Sequence, residues 1–80
     1  MKIPILLFAS YAEAFGAASI ELTLEPGATV TDLLDRVKAM AAGAMLPPAP
    51  LVAVNQCFAI PGQRIEPGDE VALIPPVAGG

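Results

Sequence analysis

The chain has no histidine and, among its 80 residues, a single cysteine, Cys57. These two shortages remove most self-contained chemistry. A structural zinc site, a Ser-His-Asp triad and a Cys-His nucleophile pair each need residues that are missing, and one cysteine forbids an internal disulfide. Cys57 itself is expected to be a buried structural thiol, in the reducing conditions of a cytoplasmic protein. Positive charge is scarce as well. Lys2, Arg36, Lys38 and Arg64 are scattered against eight acids, for a net charge of −4, so no stripe exists to follow a phosphate backbone and no nucleic acid is expected as a partner. An acidic body suits a partner with a basic groove instead. No apolar run approaches the ~20 residues that a membrane span requires. The seven glycines make neither a P-loop nor a dinucleotide fingerprint, so neither a resident cofactor nor a metal is expected. The apolar start, with Ala12-Glu13-Ala14 after it, has the outline of a secretory leader. Yet it is short and broken by Pro4, and it reads better as a strand.

What is abundant is apolar content, 55%, which makes the chain globular. At this length it has room for one domain and one small core, of a size that rarely supplies more than about 3–5 kcal/mol. Ile3 to Ala9 is a continuous apolar run and is expected to be a strand covered on both sides. Pro4 is then tolerable only at its first position, with the missing donor at a sheet edge. Ser10 to Gly16 reads as a single helical turn stopped by Gly16. Ser19 to Glu25 alternates, with Ile20, Leu22 and Leu24 on one side, as a half-exposed edge strand antiparallel to the first. Pro26-Gly27 is a turn. Thr29 and Asp32 form a shortened capping box, and Val30, Leu33, Leu34, Val37, Met40 and Ala41 fall on one face of the helix that follows, with Gly43 as its cap. A proline-stiffened loop over 44–50 leads to a strand over 51–54, a turn at Asn55-Gln56 and a short returning segment over 57–60. Ile65 is placed in the core, Glu66-Pro67-Gly68-Asp69 is a further turn, and Glu70 to Ile74 is a last, central strand. Both chain ends carry the most apolar strands, and both can be central only side by side. The expected architecture is α+β: a mixed sheet with one main helix on one face. The other face is left with exposed apolar residues that would make a docking patch.

Pro75 and Pro76 must end the last strand, since neither can donate to a ladder. Beyond them come Val77, Ala78, Gly79 and Gly80. The expected division is a body over 1–76 and a flexible tail over 77–80, slender enough for its terminal carboxylate to enter a narrow channel. A carboxylate presented this way can be the substrate of another protein's chemistry.

The segment Leu51-Val-Ala-Val-Asn-Gln56, taken with Pro67-Gly-Asp-Glu-Val-Ala-Leu-Ile-Pro-Pro-Val-Ala-Gly-Gly80, resembles the small sulfur-carrier subunit of molybdopterin synthase. The resemblance implies a β-grasp, ubiquitin-like fold over essentially the whole chain, and a carrier rather than an enzyme. It implies that an adenylating enzyme joins the Gly80 carboxylate to AMP, consuming ATP, and that a cysteine desulfurase or rhodanese supplies sulfur to leave a thiocarboxylate. That sulfur then passes to a pterin precursor inside the large synthase subunit, in molybdenum cofactor biosynthesis. Gly80 is the acyl position in this scheme and Gly79 keeps the thread thin, while Pro75, Pro76, Val77 and Ala78 line the entry into the partner. Phe8 and Ile74, on adjacent central strands, are either part of the docking face or ordinary core. The family often carries an Arg before the Glu after strand one, and Ser10-Tyr-Ala-Glu13 has none. Other readings of the same ending are a thiamin-pathway sulfur carrier, a ubiquitin-like modifier of lysines, and a β-grasp binding module whose Gly-Gly is inert.

Overall fold

The structure, a computed structural model, describes residues 1–40 and 50–75. It contains β1 (Lys2–Leu7), α1 (Ser10–Phe15), β2 (Ser19–Thr23), α2 (Val30–Ala39), β3 (Leu51–Val54), β4 (Cys57–Phe58) and β5 (Val71–Ile74). The five strands form one mixed sheet in the order β2-β1-β5-β3-β4. β1 and β5 lie side by side and parallel, with Ile5 opposite Val71 and Leu7 opposite Leu73, as the placement of the apolar strands requires. All other pairings are antiparallel. This is the β-grasp, ubiquitin-like arrangement, with α2 packed across one face.

Inward residues of every central strand meet α2. Ile3, Ile5, Val71, Leu73, Leu33 and Val37 are completely shielded from solvent, and Ile65 plugs the core beneath its loop. No polar or charged residue is buried among the described residues. Tyr11 on α1 is also fully buried, and the loss of water raises its pKa above the ordinary value of 10.0.

Local chemistry explains the element ends. Thr29 accepts from the Asp32 amide, and Asp32 accepts from the Thr29 amide at 2.9 Å, a closed capping box that starts α2. Pro26-Gly27 and Pro67-Gly68 each form a tight turn. Ala28 donates to the Glu25 carbonyl and Asp69 to the Glu66 carbonyl, both at 3.1 Å, with each glycine at φ 88°. A proline followed by a residue at positive φ is the type II pattern. Asn55 and Gln56 both take positive φ, at 51° and 70°, as the two-residue hairpin between β3 and β4 demands.

Several expectations need correction. β1 is not covered on both sides: Lys2 and Pro4 are exposed and Leu6 half-buried, while Ile3, Ile5 and Leu7 are buried. Pro4 sits third in the strand, not first. Odd-numbered amides of β1 face β2, as Leu7 donating to Ala18 shows, and even-numbered ones face β5, as Phe8 donating to Leu73 shows. The Pro4 nitrogen therefore points toward β5 below the first paired residue, Ile5, where no strand bond is lost. α2 stops at Ala39 with Met40 in an extended conformation, short of the expected Gly43 cap. β2 ends at Thr23, β4 at Phe58, and β5 begins at Val71. Cys57 is exposed rather than buried, because it opens a two-residue edge strand right after the hairpin turn. Ala41, Gly43 and the loop prolines 47 and 48 lie outside the described residues.

Candidate functional site

The sheet face opposite α2 collects the residues that remain apolar and uncovered. Register fixes which ones. Leu6 pairs with Ala72, Ala72 with Ala53, and Ala53 with Phe58, so these four side chains share one face across four strands. One step further along, Leu51 lies opposite Ile74. A groove of about 300 Å³ runs over this face, lined by Leu6, Phe8, Ala53, Phe58, Ala72 and Ile74, with Gln56 and Glu70 at its rim. Phe8 is 48% exposed and Phe58 73%, while Ile74 is half-buried. Large aromatic side chains left this open on a small domain make this face the candidate docking surface.

Phe8 and Ile74 are thus brought together in the groove, and Phe8 is not ordinary core. β1 and β5 run parallel, so both end at the same side of the sheet, and there Phe8 follows β1 and Pro75 follows Ile74. Pro75 is half-buried at the point where the chain leaves the sheet. The groove and the exit of β5 therefore lie together. Pro76, Val77, Ala78, Gly79 and Gly80 lie outside the described residues.

Phe58 and Leu6 were missed in the sequence, although a signal for Phe58 existed. A two-residue turn at Asn55-Gln56 forces Val54 opposite Cys57 and Ala53 opposite Phe58. Phe58 then has to share the face of Ala53, away from α2. Leu6 was hidden by the uniform apolarity of its strand.

Among the described residues no group of three or more metal-ligating side chains is present, and no helix is long and apolar enough to cross a membrane. The groove offers one carboxylate and one amide beside apolar walls. It can bind, but it holds no nucleophile–base pair.

A five-stranded β-grasp sheet with an open apolar face, next to the exit of its last strand, defines a small ubiquitin-like protein. The chain belongs to the ThiS family, whose model matches residues 5–80. Solved structures agree. Small archaeal modifier protein 1 from Haloferax volcanii is 34% identical over all of both chains, with a TM-score of 0.80. A Pyrococcus furiosus protein described as molybdopterin converting factor, subunit 1, is 24% identical over 96% of this chain and 99% of its own, with a TM-score of 0.83, and shares the fold. The fold also recurs in a complex of subunits 1 and 2 of the molybdopterin-converting factor from Helicobacter pylori, with a TM-score of 0.72 and 16% identity over the whole of both chains. No curated protein matches.

Proposed function

We propose that this ThiS-family carrier works through its terminal carboxylate at Gly80, and that its sulfur goes to a pterin precursor in molybdenum cofactor biosynthesis. The observation that carries the reading is the coincidence of the open apolar groove with the exit of β5 toward Gly79-Gly80. A partner seated on Leu6, Phe8, Phe58 and Ile74 would receive the tail without reaching across the molecule.

A carboxylate resists nucleophiles because its charge is delocalised and its leaving group would be oxide. Adenylation by a separate enzyme, at the cost of ATP, supplies AMP as a leaving group. The terminal sulfur of a persulfide on a desulfurase or rhodanese then bonds to the acyl carbon as the bond to AMP breaks. A second thiol cleaves the resulting acyl disulfide, leaving as a disulfide with the donor cysteine. The resulting thiocarboxylate sulfur bonds to the pterin precursor in a large subunit, and water then attacks the acyl carbon, breaking its bond to sulfur and returning the carboxylate. The acid–base groups of that step are assigned to the large subunit, since the groove beside the tail exit offers only one carboxylate and one amide. Gly79 and Gly80 keep the thread narrow, and Pro75 to Ala78 line the channel mouth. The Helicobacter pylori complex supports a second subunit as the partner.

A second reading has its own support: the 34% identity with an archaeal modifier protein favours transfer of the activated Gly80 carbonyl to a lysine amine. Both readings share the adenylate and part afterwards. Mass spectrometry of the protein isolated from its own host separates them. Exchange of one oxygen for sulfur at Gly80, with recovery of a large subunit bound to the groove, is the expected result. Lysine-linked adducts without the sulfur form would establish the modifier reading, and an unmodified terminus that stays inert toward ATP and an activating enzyme would end both.

A further inference from the structure

The sheet has two edges, and they are protected very differently. β4 is only two residues long and offers little to pair with. β2 is the other terminal strand, and its five residues pair with β1 in unbroken register from Ser19 opposite Leu6 to Thr23 opposite Lys2. The even positions of β2 face β1, as the bonds from Leu7 to the Ala18 carbonyl and from Leu24 to the Met1 carbonyl establish. Ser19, Glu21 and Thr23 therefore turn their amides and carbonyls outward. No bulge, proline or lysine interrupts this strand, and of the devices that normally blunt exposed edges it carries only one charge, Glu21, whose side chain leaves the backbone groups open.

The edge continues into a cleft of about 440 Å³. Leu24 and Glu25, which follow β2, form one wall with the Pro26-Gly27 turn, and Asp32, Asp35 and Arg36 on the outward flank of α2 form the other. Three carboxylates face one guanidinium there, while the Glu21 side chain points to the other face of the sheet with Ser19 and Thr23. An extended segment added to β2 would continue the sheet through its own backbone and carry side chains on the helix side into this acidic space.

We infer that the free edge of β2, together with the cleft at its end, is a second docking surface that takes an extended, basic segment of a partner protein by strand addition. Charge complementarity sets the chemistry of that partner. The backbone bonds hold the segment, and arginine or lysine at alternate positions meets Glu25, Asp32 and Asp35. This surface lies at the opposite edge of the sheet from Phe58, so it leaves the apolar groove free. It stands independently of the sulfur-transfer reading.

The test uses the full chain and a synthetic hexapeptide alternating valine with arginine, with the valine–glutamate counterpart as control. On titration, amide shifts and slowed hydrogen exchange are expected at Ser19, Glu21 and Thr23, and none with the control. Glu21→Pro removes one outward donor and should weaken binding at least tenfold, whereas Glu21→Ala keeps the backbone and should change it less than twofold. The double variant Glu25→Lys/Asp35→Lys alters neither strand nor core and should weaken binding at least fivefold, which decides the matter if Glu21→Pro does not fold. Absence of binding, shifts confined to the groove around Phe8 and Phe58, or undiminished binding to the double variant would each overturn the inference.

Discussion

Single residues in this fold show where sequence chemistry is transparent and where it is silent. Gly27 and Gly68 follow prolines in two turns of one type, and each sits at φ 88° with open space around it. Pro-Gly announces such turns directly. Ala9 takes φ 49° where the chain leaves β1 for α1, and Gln56 takes 70° in the hairpin. Nothing in alanine or glutamine signals positive φ, which costs a residue with a Cβ about 1 kcal/mol or more. Those corners are imposed by the surrounding sheet. Tyr11 is equally unreadable as a core residue, because a tyrosine in a short stretch of small residues between two strands suggests surface. Its burial leads to a prediction. Burial disfavours the phenolate and lifts the folded pKa above 10.0, so the folded protein holds this proton longer than the unfolded chain. The stability Tyr11 contributes is fully present below pH 10 and falls as pH rises past that value. Urea titrations from pH 8 to 11 should show an alkaline decline that Tyr11→Phe reduces. An identical decline in the variant would assign it to other groups.

At the scale of elements, helices and turns were read more securely than strand environment. The Thr29–Asp32 box and the stripe of Val30, Leu33 and Val37 came straight from residue types and a 3.6-residue period. β1 was misjudged, because an unbroken apolar run looks the same whether its outer face meets a helix or stays open. The junction of hairpin and last turn was also invisible, since it joins residues far apart in the chain. Asn55 donates to an Asp69 oxygen at 2.9 Å and accepts from the Glu70 amide at 3.0 Å, while the second Asp69 oxygen accepts from the Glu66 amide at 2.8 Å. Two turns on neighbouring strands are thereby tied at the point where β5 begins. Asp69→Ala frees Asn55 and the Glu66 amide together, and it should cost about 1–3 kcal/mol at an exposed site, as hydrogen bonds to a charged group do. Chemical denaturation measures this. A loss below 0.5 kcal/mol, on the scale of ordinary surface changes, would show that the knot adds little.

For the whole molecule, the two faces of the sheet divide stability from recognition. Leu33 is fully buried between α2 and the sheet. Its replacement by Ala should cost roughly 2–5 kcal/mol, comparable with the entire margin of a core this small, roughly 3–5 kcal/mol. Phe8→Ala on the open face should leave the melting temperature within a few degrees and, on the function proposed above, abolish capture of a large subunit. If Phe8→Ala unfolds the protein, or leaves capture intact, that division is wrong. The general architecture was legible because both apolar ends of the chain had to meet. The composition of the groove was legible only in part, since Phe58 joins it through register rather than through its neighbours in sequence. That meeting of the ends has one more consequence. β5 sits at the centre of the sheet between β1 and β3, so a polypeptide broken or stalled anywhere before Ile74 lacks its keystone and cannot close. Only a polypeptide that runs through β5 attains the native state, and shorter fragments are left unfolded for degradation.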